Sequence, residues 1–395
     1  MTPVLFSLQP PRKTAEWIIA AVGLTLAVGA LAATQTSLDR HFLPSFLMTR
    51  QTYVRIETSV RLVLAVSGIA LMFGVRWAAA RLTSRALAIV AAVALALGAS
   101  ELVLRTIRPR PTEWRAINEE PRRQPDLRLG WTFVPSRAGY SLSGDRRIEY
   151  VFDAHGYRVR HGEQSVDPER PSILFAGESV MFGDGLTYDE SVPAQVEALI
   201  GAQSVNMAVY GYSTDQTYMK LEDELPRFRQ PLAVVALYMT ALFGRNLDDD
   251  RPHLGPGLTW LPAVPHGRLL ALGRLILPFR RDRTVERGVV VTREALGGIV
   301  RLARARHATP LIVVPQIGPE DELERALRQR VLDAAALPYV MVEIDPAWHV
   351  PRDRHPDAHA ARAIAAAIAE WLQGPPNVNV PAKLGPTGAQ PSTAR

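Results

Sequence analysis

From Pro171 onward, short apolar runs alternate with amphipathic stretches, and few folds are compatible with that alternation. The runs with the composition of β-strands are residues 173–175, 205–209, 232–237, 311–314 and 339–344. The stretches with helical periodicity are residues 191–200, 292–306, 320–335 and 358–372. Strands that alternate with helices in this way predict a parallel sheet covered by helices on both faces. The sequence therefore predicts an α/β fold for this part of the chain.

The first hundred residues contain three long apolar segments, which are residues 17–37, 62–80 and 86–104. The first has no charged side chain, the second has only Arg76, and the third has only Glu101. About 20 apolar residues suffice to cross a bilayer, and an Arg near a helix end can extend its charge to the headgroups. We therefore predict a membrane region over residues 1–108 with about three transmembrane helices. A cleaved signal peptide is the alternative for the first segment, and a pair of buried core helices for the other two.

Residues 109–170 are polar and rich in Pro and Arg, with strand-like runs at 129–131 and 147–158. They predict a linker with a small β structure ahead of the main domain, which we place at residues 171–373. Residues 374–395 are rich in Pro, Gly, Asn and Ser and predict a disordered tail.

The composition excludes several classes of function. The formal net charge is +6, but the Arg residues are spread along the chain, which argues against nucleic-acid binding. The absence of cysteine excludes a disulfide framework, a thiolate metal site and a Cys nucleophile. The sequence lacks the Gly-rich motifs that bind nucleotides or flavins after a strand, so we expect no such cofactor. The bias toward Arg and Ala is typical of a GC-rich bacterial genome.

A serine lies where the first predicted strand of the α/β region ends. In residues 175–183, Phe-Ala-Gly-Glu-Ser-Val-Met-Phe-Gly, Ser179 follows a tight turn and precedes a helix-forming segment. Open α/β sheets place their active sites at the carboxyl ends of strands, and a following helix directs backbone N–H groups toward a developing oxyanion. Ser179 is therefore a candidate nucleophile, with a turn that merely caps a helix as the alternative. Met181 stands where the α/β-hydrolase elbow requires Gly, which disfavours that fold.

Four segments, in chain order, resemble the sequence blocks of the SGNH (GDSL-like) hydrolases, a family of esterases and acyltransferases. The segments are Gly177-Glu178-Ser179, residues 206–216, residues 238–248 and residues 353–359. Glu178 replaces the usual Asp of the first block, and the Asn-Asp pair of the third block is absent. The resemblance covers residues 127–372 and implies a three-layer α/β/α, flavodoxin-like parallel sheet.

The resemblance also implies a catalytic triad. Ser179 would be the nucleophile, His355 the general base, and Asp353 the carboxylate that orients the imidazole. His359 with Asp357 repeats the spacing of His355 with Asp353 and is the alternative pair. We prefer His355, because His359 falls one turn into a predicted helix, where its side chain is less free to reach a neighbouring loop.

An oxyanion hole is implied by the same blocks. Its donors would be the backbone N–H groups of Ser179 and Gly211 and the side-chain amide of Asn246. Asn246 lies farther from the end of its predicted strand than the family pattern requires, so Thr240 is the alternative third donor.

Together these residues predict a serine esterase that acts on ester-linked acyl groups, O-acetyl among them, through a covalent acyl-enzyme. The membrane region suggests an ester-bearing glycan or lipid at the cell surface as the substrate, and the bilayer as the other partner. An acyltransferase would use the same residues, with a sugar hydroxyl in place of water. A degenerate scaffold in envelope polysaccharide assembly is the non-enzymatic alternative, suggested by Glu178 and by the missing Asn-Asp pair.

A divalent-metal hydrolase is a further alternative, because histidines and aspartates cluster in two regions of the chain. The candidate ligands are Asp248–Asp250, His253, His349, Asp353, His355, Asp357 and His359. Several of them straddle a predicted helix start and so diverge, and we therefore expect no metal.

The predicted location is the inner membrane of a bacterium, with the catalytic domain outside the cytoplasm. Three crossings from an internal N-terminus give this orientation. Arg40, Arg50, Arg55 and Arg61 would then lie outside, which the positive-inside rule does not favour. The orientation therefore rests on the family resemblance.

Overall fold

The computed structural model describes residues 12–33, 43, 50–74, 86–107, 119–276 and 280–374. The chain divides into two compact units. The first comprises residues 1–42, 48–108 and 266–280, and the second comprises residues 43–47, 109–265 and 281–395. Apart from Gly374, the predicted disordered tail lies outside the described residues.

The elements are numbered here in chain order. The α-helices of the described residues are α1 (Arg12–Ala32), α2 (Arg50–Phe73), α3 (Ala86–Ile107), α4 (Ser179–Phe182), α5 (Val192–Ile200), α6 (Thr214–Glu224), α7 (Arg268–Ile276), α8 (Asp282–Ala305), α9 (Glu322–Val331) and α10 (Ala358–Gln373). The strands are β1 (Arg123–Asp126), β2 (Gly130–Phe133), β3 (Ala138–Ser143), β4 (Arg146–Phe152), β5 (Arg158–Val159), β6 (Ser172–Ala176), β7 (Gln203–Asn206), β8 (Pro231–Leu237), β9 (His253–Gly255), β10 (Thr259–Leu261), β11 (Thr309–Ile317) and β12 (Tyr339–Ile344). A 3₁₀-helix, Thr240–Leu247, follows β8.

In the first unit, α1 and α2 pack closely through small residues. A Cβ on Gly23 would lie 2.7 Å from the carbonyl oxygen of Gly68, so the two backbones approach more closely there than any larger residue permits. Within α2, Gln51–Phe73 is long and apolar enough to cross a membrane, by length and composition. The number of membrane spans and their orientation stay predictions.

The second apolar segment begins earlier than predicted. The prediction placed it at residues 62–80, whereas α2 starts at Arg50, and residues 75–80 lie outside the described part of the chain. The prediction took the start of the uncharged run as the start of the segment, which was wrong, because the helix also contains charged residues. Arg61, for example, donates from Nε to the carbonyl oxygen of Ala30 at 3.3 Å.

Helix α7 belongs to the first unit although its sequence lies between β10 and α8. The carboxylate of Glu101, near the end of α3, accepts the backbone N–H groups of Arg268 and Leu269 at 2.8 Å each. Glu101 thus satisfies two of the N–H groups that a helix start leaves without a helical partner. We predicted one uninterrupted domain over residues 171–373, whereas residues 266–280 within that range belong to the first unit.

The second unit is built on an eight-stranded sheet with the order β12-β11-β8-β6-β7-β5-β4-β3. The five strands from β12 to β7 are parallel. Numbered along the chain they stand in the order 5-4-3-1-2, which is the flavodoxin-like doubly wound order. The strands β5, β4 and β3 extend the sheet in antiparallel fashion beyond β7. The central strand, β6, is buried at every position.

Helices cover both faces of this sheet. Helix α5 packs against α10, and α6 packs against α8. Right-handed crossovers place these two pairs on opposite faces, because the connection β6–α5–β7 runs toward one edge and β7–α6–β8 runs back toward the other. The predicted three-layer α/β/α architecture is confirmed.

Three features of this unit differ from the prediction. The lead-in strands β3, β4 and β5 continue the main sheet, so residue 170 is not a structural boundary. Helix α6 was not predicted, although Ser213 and Gln216 form a capping box at its start. Strand β7 ends at Asn206 instead of Val209, because only the first part of the apolar run pairs with β6.

Candidate active site

The turn after β6 presents Ser179 at the carboxyl end of the sheet. Ser179 is the first residue of the one-turn helix α4, and the Glu178 carboxylate caps that helix by accepting the Val180 N–H at 3.1 Å. Gly183, in the left-handed conformation with φ 81°, ends the helix by donating to the Ser179 carbonyl. Gly177 precedes the turn, where a Cβ would lie 3.0 Å from the side chain of Leu237. The backbone therefore fixes the position of the Ser179 hydroxyl.

The loop before α10 brings the predicted base and carboxylate to this serine. His355 Nε2 lies 2.8 Å from Ser179 Oγ, and His355 Nδ1 lies 2.8 Å from Asp353 Oδ1. The same Asp353 oxygen accepts the backbone N–H of His355 at 3.2 Å, which is why a spacing of two residues suffices. The chain Asp353–His355–Ser179 has the connectivity of a hydrolase triad.

The alternative pair, His359 with Asp357, serves a different purpose. Asp357 is the N-cap of α10 and accepts the backbone N–H groups of His359 and Ala360. The His359 side chain is 67% exposed and contacts Asp357 at 3.4 Å. The structure therefore brings His355, and not His359, to Ser179.

The charges around His355 favour its protonated form. Burial lowers the pKa of His355, but the hydrogen bond to Asp353 and the negative charges of Asp184, Asp353 and Glu178 more than offset it, and the net shift is upward. The reciprocal hydrogen bond from His355 lowers the pKa of Asp353 to about 2. Asp353 is thus ionised and able to hold the Nδ1 proton of the imidazole.

Gly211 lies on the neighbouring loop after β7. The N–H groups of Met207 and Val209 donate to the carbonyls of Phe175 and Gly177, which ties this loop to the turn that carries Ser179. Gly211 has φ 80°, a conformation that favours glycine, and a Cβ there would lie 3.3 Å from the Trp131 ring. Within the described residues, the N–H groups of Ser179 and Gly211 donate to no protein acceptor, so both are free for an oxyanion.

Asn246 has other partners than the one predicted for it. Its amide nitrogen donates to the hydroxyls of Thr214 and Thr292, at 3.1 and 2.8 Å, and its oxygen accepts the Thr214 N–H. Both amide hydrogens are therefore engaged, because the 3₁₀-helix aims this side chain at α6 and α8. Thr240, the alternative donor, is buried close to the end of β8. The third oxyanion donor stays a prediction.

Arg158 supports the site and was not predicted. Its guanidinium is fully buried and donates to the carbonyls of Phe182, Gly183 and Leu186, which are the last residue of α4 and two residues of the turn that follows it. Burial lowers the pKa of Arg158 to about 10, and nearby negative groups counteract part of that shift. The only sequence signal was an arginine within a strand-like run.

Asp184 and Tyr150 were also not predicted as site residues. The Tyr150 hydroxyl lies 3.2 Å from Asp184 Oδ1, and Asp184 lines the same small cavity as Ser179 and His355. Burial raises the pKa of Asp184, while the charge of His355 lowers it. A second carboxyl group thus lies near the imidazole, in addition to that of Asp353.

The metal alternative finds no support in the described residues, where no three His, Cys, Asp or Glu side chains lie close enough together to hold an ion. Of its proposed ligands, His355 bonds Asp353 and Ser179. His253 and His349 lie beside the backbone carbonyls of Arg251 and Val350.

No family model matches this sequence, and no curated protein matches it. Among solved structures, the chain is similar to a putative lipolytic protein of the G-D-S-L family from Desulfitobacterium hafniense DCB-2, with 11% identity, 50% of this chain and 98% of that chain covered, and a TM-score of 0.33. It is also similar to AlinE4, an SGNH-hydrolase family esterase, at 17% identity. That match covers 44% of this chain and 77% of AlinE4, with a TM-score of 0.28. A third similar structure is an acetyl xylan esterase, Est2A, from Butyrivibrio proteoclasticus, at 10% identity. That match covers 53% of this chain and 65% of Est2A, with a TM-score of 0.32.

The first of these is a putative G-D-S-L family lipolytic protein and the second an SGNH-hydrolase family esterase, which is the family that the sequence blocks resemble.

Proposed function

We propose that this chain is a serine ester hydrolase that uses Ser179, His355 and Asp353 as its triad. The observation that supports it most directly is the continuous hydrogen-bond chain from Asp353 Oδ1 through the imidazole to Ser179 Oγ, with 2.8 Å at each step. Such a chain is the activating arrangement for a serine nucleophile, and it favours an enzyme over a scaffold.

In the proposed reaction, Ser179 Oγ attacks the ester carbonyl while His355 Nε2 takes the hydroxyl proton. The backbone N–H groups of Ser179 and Gly211 stabilise the negative charge that develops on the carbonyl oxygen, and one such donor is worth roughly 3–4 kcal/mol. His355 then returns the proton to the departing alcohol, which leaves an acyl group on Ser179. Water, activated by the same imidazole, releases that acyl group as a carboxylic acid.

The proposed substrate is an ester-linked acyl group, O-acetyl among them, on a glycan or lipid at a membrane surface. Its support is the apolar helix Gln51–Phe73, which is able by length and composition to hold the chain at a bilayer. Release of acetate from acetylated glycans and of fatty acid from acylated lipids, measured against hydrolysis of soluble short esters, tests this part. Turnover of the soluble esters alone would contradict it.

The activity itself is tested by hydrolysis of p-nitrophenyl acetate with the detergent-solubilised full chain. We expect a clear rate that falls at least about 10³-fold in Ser179→Ala. Ser136→Ala, which changes a serine away from the site, is the matched control and should retain the rate. Equal rates for the wild type and Ser179→Ala would refute the proposed function.

A further inference from the structure

Ser179 has a second hydrogen-bond partner besides His355. Its Oγ lies 2.5 Å from Glu178 Oε2 and 2.8 Å from His355 Nε2. A hydroxyl has a single hydrogen, so it can donate to only one of these two groups at a time. The carboxylate and the imidazole therefore compete for the proton that must leave when Ser179 attacks.

The length of Glu178 makes this contact possible. Its Oε1 caps α4 at Val180 N, which leaves Oε2 to reach the Ser179 hydroxyl. An aspartate at this position would be one methylene shorter, so it could keep the cap but not the contact with Oγ. The departure from the family's usual Gly-Asp-Ser block thus has a local consequence.

Arg245 holds the other side of the same carboxylate. Its Nη1 lies 3.3 Å from Glu178 Oε2 and 3.5 Å from the Tyr212 carbonyl oxygen. Glu178 is only 5% exposed, so solvent screens this ion pair weakly. Arg245 therefore offers the carboxylate a charged partner that does not depend on the Ser179 proton.

On the basis of the proposed function, we infer that Glu178 is a positioning residue that, paired with Arg245, competes with His355 for the hydroxyl hydrogen of Ser179. With His355 protonated, Nε2–H donates to Oγ and the hydroxyl donates to Glu178, so the nucleophile is held inactive. With His355 neutral, the hydroxyl donates to Nε2 and Glu178 retains the ion pair with Arg245. Loss of one proton from the imidazole converts the first arrangement into the second.

The charged groups around the two partners come from several elements. Asp353, Asp184 and Glu178 surround His355, while Glu178, Arg251 and Asp248 surround Arg245. Removal of the contact between Glu178 and Ser179 should leave the Asp353–His355 pair in place, because Asp353 holds the other nitrogen of the imidazole. Only the acidic side of the pH profile of Ser179 reactivity should therefore change.

The test is the rate at which a fluorophosphonate labels Ser179, measured from pH 4 to 9 in the solubilised full chain, for the wild type, Glu178→Gln and Glu178→Asp. Glu178→Gln removes the charge, and with its amide oxygen on the Val180 N–H it places an NH₂ group, which only donates, next to Ser179 Oγ. Glu178→Asp keeps the charge but is too short to contact Oγ. On the acidic side of the wild-type profile, we expect both variants to label at least about threefold faster than the wild type. Glu149→Gln, an exposed carboxylate, is the control and should match the wild type.

Two outcomes would overturn the inference. Acidic limbs that coincide in all four proteins would mean that Glu178 does not compete for the proton. A Glu178→Asp profile that matches the wild type, with only Glu178→Gln shifted, would mean that charge acts without the contact. Melting curves show whether each variant is folded, and the conservative Glu178→Asp keeps the test available if Glu178→Gln is not. Absence of Ser179 labelling in the wild type at every pH would instead refute the proposed function.

Discussion

His355 reaches Ser179 across 176 positions of sequence, and two hydrogen bonds of 2.8 Å complete the connection to Asp353. The short spacing between Asp353 and His355 works because one carboxylate oxygen accepts both the backbone N–H and the Nδ1 proton of the same residue. The imidazole is thereby fixed in the tautomer that leaves Nε2 free to accept the Ser179 proton.

Substitution of the two nearby histidines separates their roles. His355→Ala should lower ester hydrolysis at least about 10³-fold, because the hydroxyl of Ser179 loses its proton acceptor. His359→Ala should stay within about twofold, since that side chain is exposed and contacts Asp357 and the Trp348 ring, away from Ser179. The measurement is p-nitrophenyl acetate hydrolysis, and a larger loss in His359→Ala would reverse the assignment of the base.

The pH dependence follows from the same imidazole. His355 accepts a proton only when neutral, and its pKa is raised above the ordinary 6.5. Activity should therefore be lost as the pH falls through that raised pKa, with a midpoint above 6.5. Rates of hydrolysis from pH 5 to 9 check this, and a midpoint below 6.5 would contradict the described charge arrangement.

The sequence predicted Ser179, Gly211, Asp353 and His355 as site residues, because each sits in a block with a recognisable local pattern. The structure places Ser179, His355 and Asp353 within hydrogen-bonding distance of one another. Local patterns did not predict the partners of Asn246. It lies within the third sequence block, but the hydroxyls that accept from its amide come from α6 and α8, which no local pattern describes. Arg158 and Asp184 were missed for the same reason, because their significance depends on tertiary contacts.

At the scale of the elements, one buried side chain, that of Arg158, holds the end of α4 and the turn that follows it. Three carbonyls of that segment accept hydrogen bonds from Arg158, whose guanidinium also lies 4.8 Å from the Tyr150 ring centroid and 5.0 Å from that of Phe182. The nucleophile helix and the antiparallel extension of the sheet are therefore joined through this residue.

Replacement of Arg158 by Met should destabilise the second unit by about 3 kcal/mol, because it removes three buried hydrogen bonds and the buried charge that makes them. The carbonyls of Phe182 and Gly183 keep the Asn206 amide and the Leu186 N–H as donors, whereas the Leu186 carbonyl loses its donor. Thermal unfolding followed by circular dichroism measures the loss. Arg147→Met, at an exposed position of β4, is the matched control and should change stability by less than about 1 kcal/mol, because it removes only an exposed contact with the Tyr140 ring. Equal melting temperatures for the two variants would show that Arg158 is dispensable.

The strands of the parallel sheet were predictable because each is a short apolar run, whereas the elements around it were not. Strand β5 has only two residues and pairs with β7 at a single position, Arg158 with Asn206. Helix α6 is polar enough to lack a clear apolar stripe, and α7 is directed to the first unit by Glu101. These features depend on partners distant in sequence.

At the scale of the whole molecule, the location of the catalytic unit is the main open prediction. The chain contains no cysteine, so one introduced thiol reports its own position without background. Glu149→Cys places that thiol on the exposed surface of β4. A membrane-impermeant maleimide should label it in intact spheroplasts of a bacterial host. Labelling only after lysis would place the catalytic unit in the cytoplasm.

The central claim is that Ser179 is an activated nucleophile, and covalent labelling tests it most directly. The full chain, solubilised in detergent, would be treated with a fluorophosphonate, digested and examined by mass spectrometry, beside Ser179→Ala and His355→Ala. The proposed triad predicts one adduct, on the peptide that contains Ser179, absent in the first variant and strongly reduced in the second. An unlabelled wild-type chain, or an adduct on another serine, would contradict it.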